Sequence, residues 1–207
     1  KIINLMKMIK AEISVRKKLF VDYGGDYESY IKNSRKACPN IIVIINNYSA
    51  FAEAYEDCEE VISYVSREGT KYGIYFVVTA TNTGSVRYRI VQNFKSIFVL
   101  QMNDKTDYSA ILGPTEGTFP SPIKGRGIVK REHTYEIQIA SVADEENVLP
   151  KVKELIDSIL AGYTGPLARR VPILPEKVDS TYLEDKEVSI DKFPMGVDKR
   201  KLSVIYH

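Results

Sequence analysis

The sequence predicts an α/β fold built on a parallel sheet, and three observations predict it. Short β-branched or aromatic runs recur at Ile41–Ile45, Ile74–Val78 and Ser96–Met102. Between them lie stretches whose apolar residues fall at helical spacing. The first run is continuously rather than alternately apolar, the pattern of a strand buried on both faces of a parallel sheet. Strands and helices alternating in this order join through right-handed crossovers.

The elements follow in chain order. Residues 1–22 carry Ile2, Ile3, Met6, Ile9, Ile13, Leu19 and Phe20 at roughly helical spacing, with Lys, Arg and Glu between them. That spacing predicts an amphipathic helix, ended by Gly24-Gly25. Residues 27–35 read as a short polar helix, and Pro39 breaks the chain before the first strand. After Ile41–Ile45 come Asn46-Asn47, then one helix over 50–68 with Phe51, Ala54, Tyr55, Cys58, Val61, Ile62 and Val65 on a broad stripe. The second strand is followed by Thr79-Ala80-Thr81-Asn82 and a helix over about 86–93. After the third strand, Asp104 is placed to cap a short helix running to Leu112, because its carboxylate accepts N–H bonds in the first turn. Residues 113–127 are rich in Gly and Pro and read as loop. Gly127–Arg131 and Thr134–Ala140 read as a hairpin or as two adjacent edge strands. Residues 145–161 form a helix, with Gly162 at its end. From Thr164 the pattern dissolves into a proline-punctuated tail with a short apolar stretch at Leu202–Tyr206.

Composition narrows the function classes. Over 207 residues, 29 basic and 27 acidic side chains leave a formal net charge of +2, with the two signs interleaved. No basic sheath for nucleic acid is written into such a chain, so nucleic acid is not an expected partner. Two cysteines, Cys38 and Cys58, and two histidines, His133 and His207, lie too far apart for a structural metal site. Free thiols in a reduced setting are expected. No apolar run approaches the roughly 18 residues of a membrane span.

Ligands of open parallel sheets sit outside the carboxyl ends of the strands. Asn46, Asn47, Thr81 and Asn82 all fall at such ends. An aliphatic strand ending in acids is the Walker B pattern of P-loop NTPases, in which one acid helps hold magnesium and the next polarises the attacking water. Here both positions are amides, which bring no negative charge and take no proton at neutral pH. Asn46-Asn47 also suit plain turn chemistry after a buried strand. Thr81-Asn82 can sense a terminal phosphate or simply cap a helix. Arg87 and Arg89, near the same rim, can act on a nucleotide as an arginine finger or pair with acids on a solvated face. No G-x-x-x-x-G-K-[ST] phosphate loop occurs in the sequence. Two histidines offer little for general-base chemistry.

Taken together, the segments from Leu5 to Lys130 resemble the FtsK/SpoIIIE family of ATPases. Leu5–Tyr30 is similar to the helix that precedes the family's Walker B strand. Pro39–Phe51 (PNIIVIINNYSAF) matches its proline, aliphatic run and acid positions, with Asn46 and Asn47 in place of the acids. Gly73–Val86 (GIYFVVTATNTGSV) matches its sensor strand, with Asn82 where the family has Gln. Asp104–Gly113 (DKTDYSAILG) and Gly125–Lys130 (GRGIVK) match later segments. The proline-rich tail resembles the linker between tandem modules of type VII secretion ATPases of the EssC/EccC kind.

The resemblance implies a P-loop NTPase-like fold of the RecA/FtsK type, with a mainly parallel sheet flanked by helices. It implies that residues 1–163 are the C-terminal part of one such module, its Walker A half outside this sequence, and that 164–207 are a linker to a following module. The complete module is expected to use ATP and Mg2+, and this chain to be degenerate, nucleotide-binding or regulatory. Expected partners are neighbouring ATPase modules, secreted WXG100-type proteins, and the missing half of the module or an oligomer contact. The expected location is the cytoplasmic face of the membrane of a Gram-positive bacterium. A DNA-translocase module or a nucleotide-independent interaction domain are the alternatives. An aliphatic strand that has lost a central neighbour is expected to leave an open edge and an uncovered apolar face.

Overall fold

The computed structural model describes residues 1–165, 167–178, 192–199 and 202–207. Helix α1 (Ile2–Phe20) buries Met6, Ile9, Ile13 and Phe20 along one stripe, as its spacing predicts. It tightens into a 3₁₀ turn at Val21–Tyr23 and stops at Gly24, whose φ of 104° is left-handed. Helix α2 (Tyr27–Ser34) starts where the Asp26 carboxylate accepts the Ser29 N–H at 2.9 Å. That bond and the Ser29 hydroxyl hold the Asp26 carboxyl below the ordinary carboxylate range.

Strand β1 (Ile41–Ile45) leads into α3 (Tyr48–Ala54), a 3₁₀ turn at Glu56–Cys58 and α4 (Glu59–Glu68). The single helix expected over 50–68 is therefore two. The break is at Tyr55, with φ −139° and ψ 55°. The break falls at the boundary between two compact units of the chain, with Ala54 in one and Tyr55 in the other. Tyr48 is buried from α3, while Cys58, Ile62 and Val65 are buried from the following segment, and one straight helix would carry both sets on a single stripe. Strand β2 is Ile74–Val78 and helix α5 is Tyr88–Val91. Helix α5 is shorter than the expected 86–93 because Arg87 keeps an extended ψ of 140°. Strand β3 (Phe98–Leu100) is also shorter than expected and ends with its pairing to the next strand. Then come α6 (Lys105–Leu112), β4 (Arg126–Lys130), β5 (Thr134–Gln138), α7 (Val148–Gly162), β6 (Pro194–Val197) and β7 (Val204–Tyr206).

Strands β1 and β2 form a two-stranded sheet. Ile41 N–H donates to Gly73 O and Thr79 N–H donates to Ile45 O, both at 3.0 Å. Residue numbers rise together along the two strands, so the pair is parallel. Strands β3, β4 and β5 form an antiparallel sheet, with Val99 opposite Ile128 and Val129 opposite Tyr135. The expected hairpin is β4–β5. Strands β6 and β7 form an antiparallel pair inside the tail, with Pro194 opposite Tyr206 and Val197 opposite Val204.

The chain divides into two compact units. The first comprises Lys1–Ile41, Tyr55–Tyr75 and Arg169–His207. Its core is α1 packed on α4, with Phe20 stacked on Tyr30 at 4.5 Å between ring centroids. Arg16 is buried on α1. Its guanidinium pairs with Glu12 at 2.9 Å and donates to the carbonyls of Tyr72 (2.9 Å) and Pro39 (2.8 Å). It thereby fixes the segments that enter both β1 and β2. The tail lies along α1: Asn4 donates to Pro172 O at 3.0 Å, and Arg169 meets Glu12 at 3.3 Å. Residues 166, 179–191, 200 and 201 of the expected linker lie outside the described residues.

The second unit comprises Ile42–Ala54 and Phe76–Ala168. Its core is Val99, Tyr108 and Ile128, with Met102, Ile111 and Phe119 against them. Among the described residues no helix is long and apolar enough to cross a membrane.

One expectation about β1 is corrected. A continuous aliphatic run reads as a strand buried on both faces, yet Ile42 is 63% and Ile44 70% exposed. Their register neighbour Val77 is 49% exposed, while Ile45 on the other face is buried. Residue type set the strand, but among the described residues nothing covers this face.

Candidate functional site

The carboxyl ends of β1 and β2 meet in a hydrogen-bonded corner. Ile45 is the last buried residue of β1, and Asn46 and Asn47 follow it into solvent. Asn47 has φ 58°, a left-handed conformation that Asn tolerates better than most residues. Its Oδ1 accepts from Ala50 N–H at 3.5 Å, and its carbonyl accepts from Phe51 N–H at 3.1 Å. Asn47 therefore sits where α3 needs a cap.

Thr79, the first residue past β2, ties this corner together. Its backbone N–H donates to Ile45 O (3.0 Å) and its carbonyl accepts from Tyr48 N–H (2.9 Å). Its hydroxyl oxygen accepts from Asn47 N–H at 2.9 Å, and its hydroxyl donates to Asn46 Oδ1 at 2.6 Å. Both asparagines thus shape the turn through one threonine.

Further along the rim, a polar cleft of about 140 Å³ opens between the segments that follow β2 and β3. Thr81, Asn82 and Thr83 line it from one side, and Gln101, Met102 and Asn103 from the other. Asp107 on α6 closes it and accepts from the Thr83 hydroxyl at 3.4 Å. Helix α6 is held in place by Asp104, whose carboxylate accepts the Thr106 N–H and hydroxyl, each at 2.8 Å. Those two bonds hold the Asp104 carboxyl below the ordinary carboxylate range. The buried Tyr108 hydroxyl accepts from Met102 N–H at 2.7 Å and fixes the other wall. Gln101 donates to the carbonyls of Ser121 and Ile123 at 2.8 Å, so its amide is committed to the 113–127 loop. Glu136 accepts from Ser121 N–H at 2.7 Å, which holds its carboxyl low and pins that loop to β5.

The structure brings Thr81 and Asn82 into the cleft, and it brings Asn46 and Asn47 together at the corner, which does not line the cleft. Arg87 and Arg89 are exposed on either side of Tyr88, at the start of α5, and neither lines the cleft. Thr79, Thr83, Gln101, Asn103 and Asp107 are the additions that sequence reasoning did not single out. Position directly after a strand was the signal that could have found Thr79 and Gln101. Cys38 and Cys58 are free, and burial pushes the Cys58 thiol up, which keeps it protonated.

The donor set decides how well an ATP–magnesium pair fits. Ligand pockets that enclose a small molecule run to roughly 300–1,000 Å³, so the cleft by itself is too small to enclose a nucleotide. Thr81 and Asn82 offer neutral donors and acceptors suited to a phosphate. Magnesium is held through carboxylates and their ordered waters. The corner residues Asn46, Asn47 and Thr79 include no carboxylate, and the Asn46 amide oxygen, which accepts the Thr79 hydroxyl, carries no charge. Among the described residues no cluster of three His, Cys, Asp or Glu side chains forms a metal site. The corner does not fit magnesium.

No protein-family model matches the chain. The ESX secretion system protein YukB of Bacillus subtilis is 29% identical over 217 residues, covering 100% of this chain and 14% of that protein. The type VII secretion system protein EssC of Staphylococcus aureus is 25% identical over 220 residues, covering 99% of this chain and 15% of that protein. The chain thus spans only a small part of the length of the curated relatives it matches. Among solved structures, EssC (ATPases 2 and 3) from Geobacillus thermodenitrificans has a TM-score of 0.81 at 24% identity, covering 100% of this chain and 41% of that one. The pCW3 conjugation coupling protein TcpA, a monomer with ATPγS, has a TM-score of 0.59 at 20% identity, covering 73% of this chain and 48% of that one. Sequence and fold agree with the resemblance read from the motifs: the chain is homologous to the EssC/EccC/YukB type VII secretion proteins, and its fold is similar to that of their ATPase domains, consistent with an FtsK/SpoIIIE-type module.

Proposed function

We propose that this chain is part of a type VII secretion motor module that binds nucleotide or regulates its neighbours rather than hydrolysing ATP. The observation that carries the reading is the corner after β1. It has the location of a catalytic strand end, but its acid positions are Asn46 and Asn47, engaged with Thr79 and with the start of α3. Residues 1–163 form the C-terminal part of the module and 164–207 lead to a following one. Its partners are the neighbouring ATPase modules and exported WXG100-type proteins, at the cytoplasmic face of the membrane. Thr81 and Asn82 contact the nucleotide, and Arg87 or Arg89 serves its own or a neighbouring site. ATP is the expected ligand, since the fold neighbour TcpA was solved with ATPγS.

A second reading has its own observation. Ile42, Ile44 and Val77 form an exposed apolar face, which favours a protein-interaction role that needs no nucleotide. A DNA-translocase role has less support, because 29 basic residues are nearly balanced by 27 acidic ones. Calorimetry of ATP binding to the intact protein, paired with a turnover assay, separates these readings. Binding at this module without turnover is the expected result. Absence of binding there selects the interaction reading, and turnover that depends on Asn46 and Asn47 overturns the degenerate one.

A further inference from the structure

Over the whole sequence the 29 basic and 27 acidic residues nearly balance, but folding separates them on α1. This helix carries Lys7, Lys10, Arg16, Lys17 and Lys18 against a single acid, Glu12. Two arginines take that acid: Arg16 at 2.9 Å and Arg169 of the tail at 3.3 Å. The four lysines are exposed, and among the described residues no carboxylate forms an ion pair with any of them. The nearest exposed acid in sequence is Asp22, in the turn that follows the helix. Lys10 lies 5.7 Å from the centroid of the Tyr64 ring and keeps its charge.

Positions 7, 10, 14, 17 and 18 follow one another in steps of three and four, so Lys7, Lys10, Ser14, Lys17 and Lys18 share one face of the helix. At 1.5 Å per residue that stripe runs about 17 Å. Val15 and Leu19 flank it one turn apart, and Val21 lies one turn beyond Lys17; all three are exposed. The inner side of α1 is packed on α4 through Met6, Ile9, Ile13 and Phe20.

These features narrow the partner. The available cations are lysines, flexible and strongly hydrated point charges, whereas the fork of an arginine suits one particular carboxylate or phosphate. A row of lysines therefore fits negative charge spread over a surface. A nucleic-acid groove takes up a whole helix, and α1 has its inner side occupied. Exposed valine and leucine beside the lysines would gain nothing from a row of phosphates. An anionic bilayer offers both kinds of contact, charged headgroups and an apolar boundary just beneath them. Four clustered basic residues reach the number at which attraction to anionic lipid is appreciable, roughly four to eight.

We propose that the exposed face of α1 is a peripheral docking surface for an anionic lipid bilayer, with Lys7, Lys10, Lys17 and Lys18 at the headgroups and Val15, Leu19 and Val21 at the apolar boundary. The contact requires neither a membrane-spanning helix nor a bound nucleotide.

The test is co-sedimentation of the full 207-residue chain with vesicles of phosphatidylcholine alone and of phosphatidylcholine with phosphatidylserine, at low and at high salt. Wild type should bind only the vesicles that contain phosphatidylserine, and should lose most of that binding at about 0.5 M salt, where screening is strong. Lys17→Ala with Lys18→Ala should weaken binding by roughly thirtyfold, from the attraction that each lysine near an anionic surface contributes. Lys151→Ala with Lys153→Ala removes the same charge from α7 and should match wild type. Val15→Ser with Val21→Ser should weaken binding by about threefold or more, through lost apolar contact. A wild type that ignores phosphatidylserine, or an equal loss from the α7 pair, overturns α1 as the docking surface. Unchanged binding by the double valine variant overturns the bilayer as the partner. So does tighter binding to duplex DNA or to polyglutamate than to vesicles, lost with the same two lysines.

Discussion

Asn47 shows how backbone geometry constrains a position that would otherwise invite chemistry. Its φ of 58° lies in the left-handed region, where a Cβ crowds the following carbonyl and a branched side chain suffers most. Asparagine offsets part of that cost with a local hydrogen bond, here toward the start of α3. Asn47→Gly should therefore leave stability within about 0.5 kcal/mol of wild type, since glycine adopts this conformation freely. Asn47→Val should cost roughly 1–2 kcal/mol, from the left-handed penalty and the lost cap. Urea unfolding of both variants checks this, and equal stability of the two would mean that the corner relaxes out of the left-handed region. A glutamate here would meet the same backbone cost.

Helix α6 carries Asp107 into the cleft, and its start depends on one carboxylate at Asp104. The Thr106 N–H and hydroxyl both donate to that carboxylate and favour its charged form, so its folded pKa lies below its unfolded one. The stability it contributes is then complete at neutral pH and is lost as pH falls through the lowered folded value. Asp104→Ala should melt below wild type at pH 7, and the two melting curves should converge in acid. A difference that persists or grows at acid pH would sink the capping argument. This cap was legible in the sequence because its chemistry is local: Asp104, Thr106 and the Gly113 stop lie within one short segment. The β4–β5 hairpin and α2 were legible for the same reason. The break at Tyr55 was not, because it falls at a boundary between units assembled from distant segments. The rim positions of Asn46, Asn47, Thr81 and Asn82 followed from the strand-end rule. The part played by Thr79 did not, because its hydroxyl acts on a residue 33 positions away.

At the scale of the whole molecule, the open face of β1 and β2 is the feature that bears most on what can pack against this chain. The register set by the bonds at Ile41 and Thr79 puts Ile42 and Ile44 on one face with Val77. All are exposed, Ile44 at 70%. Fully burying one such side chain is worth about 1.5–3 kcal/mol, so an open aliphatic face of this kind favours any partner layer able to cover it. Polar substitution distinguishes a covered face from an open one. In the 207-residue chain, Ile44→Glu should change unfolding stability by less than about 0.5 kcal/mol, the range of ordinary surface changes, while reducing concentration-dependent light scattering. In the intact protein the same substitution should cost about 2–3 kcal/mol, because the glutamate would then be buried against apolar side chains. A small effect in both settings would mean that the face stays in contact with water. A large loss in the 207-residue chain would mean that residues of this chain itself already cover Ile44.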